Sequence, residues 1–228
     1  MTAQPYVRTE LLTGQAALER MRTAQVVVLG VGGVGCYIVE ALARVGTGKI
    51  CLVDGDVFEK SNLNRQLYCV SSTIGKSKVQ VARERVAQID PAIEVRTLDE
   101  RLTPERVSEL LDGRIDYVAD AIDDVPVKMA VACACAQKKI PLLACMGTGN
   151  KIGSEAFIIS DIFSVTGDPI ARKMRGQLRK NGIDSLEVCW SCETPRIRGA
   201  QAIPSISFVP GMAGLTMAGH IIRRLMEL

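Results

Sequence analysis

The chain has 228 residues, of which 47% are hydrophobic, and this composition excludes a disordered protein and is enough for a substantial core. The formal charge of +3 neither identifies a nucleic-acid binder nor excludes one. No apolar run reaches the length of a membrane span, so no membrane partner is predicted. The N-terminal segment lacks the features of a signal peptide, and the eight cysteines therefore predict reduced thiols in a cytoplasmic protein.

Strand and helix patterns alternate along the first part of the chain. Residues 1–24 predict a helical lead-in, and helical patterns then separate short buried strands. The strand patterns are AQVVVLG, KICLVDGD, IEVRTLDE, IDYVADAID and IPLLACMG. In TPERVSELL, Thr103 is predicted to cap a helix that begins at Pro104. Alternation over residues 25–146 predicts an α/β, Rossmann-like, mostly parallel sheet with helices on both faces.

The pattern changes after about residue 150. SEAFIISDI and SLEVCWSCETP predict strands that complete the sheet, and DPIARKMRGQLRKNGI predicts a basic helix between them. ETPRIRGAQAIPS is rich in proline and glycine and predicts a mobile loop. The last segment, GMAGLTMAGHIIRRLMEL, predicts a helix with small residues on one face. No clear linker divides the chain, which favours a single domain.

A glycine-rich turn, GVGGVG, follows the first strand and opens a helix. It places G-x-G-x-x-G at Gly30, Gly32 and Gly35 in the context that a nucleotide fingerprint requires. Glycines let the backbone approach a phosphate, and the helix N-terminus attracts negative charge. Asp54 ends the second strand, where a carboxylate can accept hydrogen bonds from ribose. ATP and NAD both fit these features, and a turn that needs glycines only for packing is the alternative.

The run DGDVFEKSNLNRQ separates the two nucleotides. A dinucleotide domain does not need the side chains of Asn62, Arg65 and Gln66 there, whereas a triphosphate needs such polar donors and cations. The run therefore favours ATP, and an ordinary solvated loop is the alternative. Lys78 lies on the next predicted helix, where a solvated face, as for Lys76, competes with a role in the site.

Acidic side chains follow the fourth strand. Ligands of open parallel sheets bind at the carboxyl ends of strands, so Asp120 or Asp123 could hold a Mg²⁺ that bridges phosphates. The adjacent Asp124 could serve instead. One of the three is expected to cap the helix that begins at Val125 and Pro126.

These motifs, in this order, resemble the ThiF/MoeB/HesA family, which is related to the ubiquitin-activating enzymes. The matching stretches are GVGGVG, ALARVGTGKICLVDGDVFEKSNLNRQ, GKSKV and DAIDD, and the resemblance covers most of residues 6–165. It implies an enzyme that adenylates a carboxylate with MgATP. It also implies a homodimer, because family members commonly pair.

The resemblance and the motifs together give a set of candidate site residues. The nucleotide-binding candidates are Gly30, Gly32, Gly33, Gly35, Asp54, Asp56, Asn62, Asn64, Arg65, Gln66, Lys78 and Asp123. The resemblance implies that Arg65 and Lys78 contact phosphates and that Asp123 coordinates Mg²⁺. It implies that Arg8 reaches the ATP site of the partner subunit. The candidate catalytic residues are therefore Arg8, Arg65, Lys78 and Asp123. Arg44, in ALARVG, is a candidate for support of the phosphate loop.

Two substrates are open to such an enzyme. Sulfur-carrier activators act on the C-terminal glycine of a ubiquitin-like protein and usually carry two CxxC pairs that hold structural zinc. This chain has one pair, Cys189 and Cys192, which argues against structural zinc and leaves buried thiols or a redox pair. RTELLTGQAALERM, DPIARKMRGQLRKNGI and SCETPRI instead resemble the subgroup of tRNA threonylcarbamoyladenosine dehydratases. Those enzymes adenylate the threonyl carboxylate of a modified adenosine and close a ring with release of AMP.

The expected function is therefore an ATP-dependent tRNA-modifying dehydratase. The alternative is an adenylyltransferase for a carrier protein, with a sulfur-transfer protein as a further partner. Basic residues that could follow a tRNA backbone are Arg172, Lys173, Arg175, Arg179, Lys180, Arg196 and Arg198. A solvated helix face is the alternative, and Trp190 and Phe163 are candidates for base stacking. The single histidine, His220, is expected to be structural.

The resemblance also suggests how a single adenylating domain over 1–228 would be organised. After the lead-in at 1–24, residues 25–150 would form the nucleotide-binding core. Residues 151–228 would form an extension on the substrate side.

Overall fold

The computed structural model describes residues 5–153, 157–197, 199 and 202–228. The strands are β1 (Gln25–Leu29), β2 (Lys49–Val53), β3 (Glu94–Leu98), β4 (Tyr117–Asp120), β5 (Leu142–Cys145), β6 (Phe157–Asp161) and β7 (Glu187–Ser191). The helices are α1 (Val7–Thr13), α2 (Gln15–Thr23), α3 (Gly35–Arg44), α4 (Lys78–Ile89), α5 (Val107–Leu110), α6 (Val125–Lys138), α7 (Pro169–Lys180) and α8 (Val209–Met226). No helix in this part of the chain combines the length and the apolar character needed to cross a bilayer.

All seven strands form one sheet in the order β3-β2-β1-β4-β5-β7-β6. Neighbouring strands are parallel except for β6, which runs antiparallel to β7. This confirms the predicted Rossmann-like, mostly parallel sheet that the C-terminal strands complete. β1 pairs with both β2 and β4, so the strand order reverses between β1 and β4. Open α/β sheets bind ligands at such a reversal, outside the carboxyl ends of the strands.

Two hydrophobic cores cover the two faces of the sheet. In β1, Val26 and Val28 belong to one core, which includes residues of α3, α4 and α8. Val27 and Leu29 belong to the other, which includes residues of α5, α6 and α7. Successive strand residues point to opposite faces, and a strand buried on both faces therefore reads as a continuous apolar run.

Side-chain caps fix the starts of several helices. Asp124 accepts a hydrogen bond from Val127 N at 3.0 Å and caps α6, as predicted for one of the three aspartates after β4. Asp168 caps α7 by accepting from the backbone of its first turn. The cap predicted at Thr103 is wrong, because its side chain makes no capping bond and the chain enters a short 3₁₀ turn at Pro104. The helix that follows, α5, is only one turn long.

The last helix returns to the glycine-rich turn. Its predicted small-residue face packs against α3, where a Cβ at Gly214 would lie 2.5 Å from the carbonyl oxygen of Val34. A Cβ at Gly211 would lie 2.9 Å from the Tyr37 ring. Glycine at both positions therefore allows α8 to approach α3 closely, and it brings Pro210 to within reach of the turn.

Candidate active site

A cavity of about 440 Å³ lies at the reversal of strand order, beside the carboxyl ends of β1, β2 and β4. Its volume is within the range of small-molecule sites. The predicted site residues that line it are Gly30, Gly32, Gly33, Asp54, Asp56, Asn62, Arg65, Gln66, Lys78 and Asp123. The fold thus gathers most of the candidate residues in one place. A smaller cavity of about 230 Å³ lies at the opposite, amino ends of β1 and β2.

The glycines of the turn divide into two roles. A Cβ at Gly35 would lie 1.8 Å from the carbonyl oxygen of Gly30, so this glycine is required for packing of the turn against α3, and it does not line the cavity. Gly30 has a φ of +84°, which favours glycine. At Gly32, by contrast, the nearest atom to a Cβ would be Gln66 Nε2 at 3.7 Å, so the backbone there is open to a ligand.

Asp54 connects two segments of the cavity wall, the glycine-rich turn and the segment that follows β2. Its Oδ2 accepts from Val31 N in the glycine-rich turn at 2.7 Å, and its Oδ1 accepts from Asp56 N at 2.9 Å. A carboxylate offers about four lone-pair sites, so these two bonds leave acceptor capacity for a ligand hydroxyl. The position at the end of β2 is the one that the sequence predicted.

Lys78 is a buried cation in the wall of the cavity. Only 7% of its side chain is exposed, and its Nζ donates to Asp56 Oδ2 at 2.9 Å. The alternative of a solvated helix face is therefore wrong for Lys78, whereas Lys76 is exposed. Burial of an ammonium group is costly unless it is paired, and a paired lysine beside a cavity is suited to an anionic ligand.

The run that was predicted to hold phosphates folds as a short turn over the cavity. We call residues 62–66 the clamp. The guanidinium of Arg65 is held by Nη1, which donates to Ser61 O and to Asn64 Oδ1, both at 2.9 Å. The buried Oε1 of Gln66 has no hydrogen-bond partner within the described residues. An orphaned buried acceptor in a cavity wall is the kind of atom that a bound ligand or its water would satisfy.

The two asparagines of the clamp differ. Asn62 is buried and lines the cavity, and its Oδ1 accepts from Glu59 N at 3.1 Å, which shapes the turn. Asn64 does not line the cavity. Its Nδ2 donates to the carbonyl and hydroxyl oxygens of Ser205 at 3.2 and 3.1 Å. Asn64 therefore contacts the loop before α8, and this contact replaces the predicted nucleotide contact in the structure.

The aspartates after β4 also take separate roles. Asp120 is fully buried, and its Oδ2 accepts from the equally buried Lys128 Nζ at 2.9 Å, which occupies it in an ion pair. Asp124 caps α6, although it also borders the cavity. The carboxylate of Asp123 is exposed and lines the cavity. Of the three, Asp123 is the one suited to a hydrated cation.

The donor set around the cavity fits Mg²⁺. This ion binds through one or two carboxylates and otherwise keeps water or phosphate oxygens. Asp123 and Asp124 supply such carboxylates. Among the described residues no group of three or more histidine, cysteine or acidic side chains could form an all-protein metal site.

The two arginines that the resemblance singled out lie outside the cavity. Arg8 is exposed on α1. Close to it in the chain, Tyr6 Oη donates a hydrogen bond to Asp90 Oδ2 at 2.5 Å. On the surface of α3, Arg44 Nε donates to Glu40 Oε1 at 2.8 Å. Neither arginine reaches the site of its own subunit.

Several residues line the cavity without having been predicted. Among them are Glu100, Arg101, Leu102, Ile122, Thr148 and Pro210. Most follow the ends of strands, so the rule that ligands bind at carboxyl ends could have indicated them. Pro210 comes from α8 and lies against the glycine-rich turn, where a Cβ at Gly33 would be 3.1 Å from it. No sequence signal points to that contact.

The cysteine pair and the histidine lie away from the cavity. Cys189 is buried in β7, where burial raises the pKa of its thiol, and Cys192 is exposed just beyond the strand. His220 Nε2 lies 3.4 Å from Glu187 Oε2, in keeping with the structural role expected for it.

The basic helix α7 presents most of its cations to solvent. The exposed residues are Arg172, Lys173, Arg179 and Lys180. Arg175 differs, because its Nη1 donates to Val165 O at 2.6 Å. Trp190 is buried and its Nε1 donates to Ser160 Oγ at 2.9 Å, so it is not placed to stack on a base. The Arg179 guanidinium covers the Phe163 ring at 4.8 Å.

The loop before α8 was predicted to be mobile. Its described residues hydrogen bond to Asn150, whose backbone N donates to Pro204 O at 2.6 Å and whose Oδ1 accepts from Ile197 N at 2.9 Å. Arg198, a predicted basic contact in this loop, lies outside the described residues.

Comparison with known proteins shows which sequences and structures this chain resembles. A tRNA threonylcarbamoyladenosine dehydratase of Bacillus subtilis is 40% identical over 240 residues, which cover 97% of this chain and 94% of the relative. The crystal structure of Escherichia coli tRNA N6-threonylcarbamoyladenosine dehydratase in complex with ATP superposes with a TM-score of 0.92 at 31% identity, and covers 98% of this chain and 94% of that one. A molybdopterin-synthase adenylyltransferase of Salmonella typhimurium is 35% identical, but over only 55% of this chain and 50% of the relative.

A family-level match covers both halves of the chain. The model of the ThiF family matches residues 6–228, which extends well beyond the motifs between residues 6 and 165. The expected family is thereby confirmed, and the matched span includes the cavity, the clamp and the basic helix. The chain belongs to the ThiF family.

Proposed function

We propose that this protein is an ATP-dependent tRNA threonylcarbamoyladenosine dehydratase. The observation that carries the proposal is the similarity over almost the full length to the dehydratase of Bacillus subtilis. The adenylyltransferase relative supports the alternative, activation of a carrier protein, over only about half of the chain. The full-length similarity therefore favours tRNA as the substrate.

ATP would bind in the cavity with its phosphates between the glycine-rich turn and the clamp. Lys78 and Arg65 supply positive charge there, and the open backbone at Gly32 allows close approach. Asp54 keeps acceptor capacity for the ribose. The orphaned Gln66 Oε1 is buried in the same wall, and a ligand or its water would satisfy it.

The chemistry requires attack by the threonyl carboxylate on the α-phosphorus of ATP. The bond to pyrophosphate breaks, and an acyl adenylate forms. The carbamoyl group of the same nucleoside then attacks the acyl carbon, loses a proton and releases AMP, so the nucleoside loses one water in total. Arg65 and Lys78 would stabilise the negative charge that develops on the phosphate oxygens, which is often the largest catalytic contribution.

Asp123 would hold Mg²⁺, with Asp124 close by. When bound, the ion would neutralise phosphate charge and orient the triphosphate. The exposed carboxylate of Asp123 suits this role because Mg²⁺ usually retains several waters.

The active form is proposed to be a homodimer. Arg8 lies on α1, whose Leu11 and Leu12 are 83% and 87% exposed. Phe208, just before α8, and Met212 and Leu215 on α8 are also exposed, at helical spacing. Apolar side chains in these numbers at helix surfaces are typical of an interface between subunits. The family resemblance implies that in such a dimer Arg8 reaches the ATP site of the partner subunit.

The acceptor tRNA would lie along the exposed cations of α7. We also propose that the chain is a single domain over 1–228, because the core on each face of the sheet runs without interruption past residue 150. In this arrangement residues 25–150 bind the nucleotide and residues 151–228 form the side that meets the substrate.

The test is AMP release from MgATP. The wild-type protein would be given, in separate reactions, tRNA that carries threonylcarbamoyladenosine and a small carrier protein that ends in Gly-Gly. Release of AMP with tRNA, together with the loss of one water from the nucleoside in mass spectrometry, is expected. AMP or acyl adenylate formed only with the carrier protein would contradict the proposed substrate and leave the ATP site standing.

A matched variant tests the clamp itself. Arg65→Ala should abolish ATP–pyrophosphate exchange while the protein stays folded, since the side chain is partly exposed and its removal leaves no cavity in the core. Normal exchange by this variant would refute the assignment of the phosphate site.

A further inference from the structure

A carboxylate on α3 accepts hydrogen bonds from several side chains near the clamp. Glu40 lies on α3 with 14% of its side chain exposed. It accepts from Arg85 Nε and Nη2 at 3.1 and 2.9 Å, which is a bidentate pair. It also accepts from Arg44 Nε at 2.8 Å. Its Oε2 accepts from Tyr68 Oη at 3.3 Å.

The charge of Glu40 is stabilised by these contacts. Burial alone would raise the pKa of this carboxyl group, but hydrogen bonds and charge from Arg85 and Arg44 outweigh burial and lower it. The paired arginines therefore keep Glu40 ionised and fix the plane of its carboxylate. Since Arg85 lies on α4, the network joins α3 to α4 below the clamp.

Tyr68 links this network to the clamp. It is buried and follows the clamp by two residues. The segment around it is anchored again where Leu67 N donates to Cys36 Sγ at 3.2 Å, and where Cys69 N donates to Gln66 O at 3.0 Å. The chain that leaves the clamp is therefore attached to α3 at two points, one of them through Glu40.

We propose that Glu40 is a positioning residue for ATP binding, which acts through the hydroxyl of Tyr68. Neither residue lines the cavity, so each acts by fixing Arg65 and Gln66 against the glycine-rich turn. The competing account is that Glu40 only joins α3 to α4, which would affect folding and leave ATP affinity unchanged. The inference rests on the proposed ATP site and does not depend on tRNA as the substrate.

Two conservative substitutions isolate the contact. Tyr68→Phe removes the hydroxyl and keeps the buried ring, and Glu40→Gln keeps the shape and removes the charge. Each should weaken ATP binding by about fivefold in calorimetry at 25 °C, which is the scale of one net hydrogen bond. The double variant should bind ATP no more weakly than Glu40→Gln alone, because both changes remove the same link.

The control is Glu84→Gln, which makes the same change at an exposed position on α4. ATP affinity of this variant should stay within about twofold of wild type. If Glu40→Gln does not fold, Tyr68→Phe alone decides. ATP binding by Tyr68→Phe at the wild-type level, or additive losses in the double variant, would overturn the proposal. A wild-type protein that binds no ATP would instead contradict the proposed function.

Discussion

The region around the cavity and the basic helix α7 differ in how their charged side chains are arranged. Around β1, β2 and β4, charged side chains are paired with one another at the cavity, as Lys78 is with Asp56, or deep beside it, as Lys128 is with Asp120. On α7, which lies on the C-terminal side, the cations Arg172 and Lys173 point to solvent. The first arrangement is preorganised for a small anionic ligand, and the second suits a large, flexible polyanion. Nucleotide chemistry and substrate docking should therefore fail separately when each part is changed.

The largest effect is expected at the buried cation of the cavity. Lys78→Ala should lower the rate of ATP–pyrophosphate exchange about 100-fold or more, because it removes a preorganised charge from the phosphate site. Lys76→Ala, two residues earlier and exposed, is the matched control and should keep the wild-type rate. Similar rates for the two variants would show that Lys78 is not part of the phosphate site.

A second effect tests whether the nucleotide part is complete within one subunit. Arg8→Ala and Lys78→Ala should each be nearly inactive alone. Mixed under conditions that allow subunit exchange, they should recover about a quarter of the wild-type rate, since half of the dimers would be mixed and each would hold one complete site. Subunit exchange would be verified by mass. If exchange occurs and no activity is recovered, the result would argue against a contribution of Arg8 from the partner subunit.

A smaller and more selective effect is expected on α7. Arg172→Ala combined with Lys173→Ala should weaken tRNA binding and reduce the slope of log affinity against log salt by about 2, roughly one for each lost phosphate contact. ATP affinity should not change. Arg83→Ala, on the exposed face of α4, serves as the control for loss of surface charge. An unchanged salt slope would move the tRNA site away from α7.

The smallest effect concerns how the stability of the protein depends on pH in the acidic range. The folded-state pKa of Glu40 is lowered below its ordinary value of 4.5, so the charged form contributes stability that is present above that value. This contribution is lost as pH falls through the lower, folded-state pKa. Urea unfolding of wild type and Glu40→Gln should therefore differ at pH 7 and converge as the pH drops below about 4. A difference that stays constant with pH would mean that the carboxylate charge is not the stabilising feature.

Local sequence was sufficient for residues that belong to the ends of strands. Short apolar runs fix where β1 and β2 end, and a parallel sheet brings those ends to one edge. Gly30, Asp54 and Asp123 could therefore be placed before the fold was known. Lys78 could not be separated from Lys76 by spacing, because burial of a helix residue depends on what packs against it. The resemblance to a family, rather than the pattern, identified it.

Other features depend on contacts that form only in the folded chain. Asn62 and Asn64 are equivalent in sequence, yet the turn directs one to the cavity and the other to Ser205. Lys128 carries no local sign of burial, yet in the fold it is buried against Asp120. Pro210 also enters the site through the packing of α8 against the glycine-rich turn, and it has no local signature.

The contact between α8 and the glycine-rich turn has a consequence for biosynthesis. Pro210 supplies part of the cavity wall, although the turn that it meets is near residue 33. A nascent chain therefore cannot complete the cavity until residue 210 has left the ribosome, long after the glycine-rich turn has been made. Since a ligand stabilises only the state that binds it, ATP would favour chains in which α8 has docked over chains that still lack it. Occupancy of the site would thus report that α8 has joined the fold.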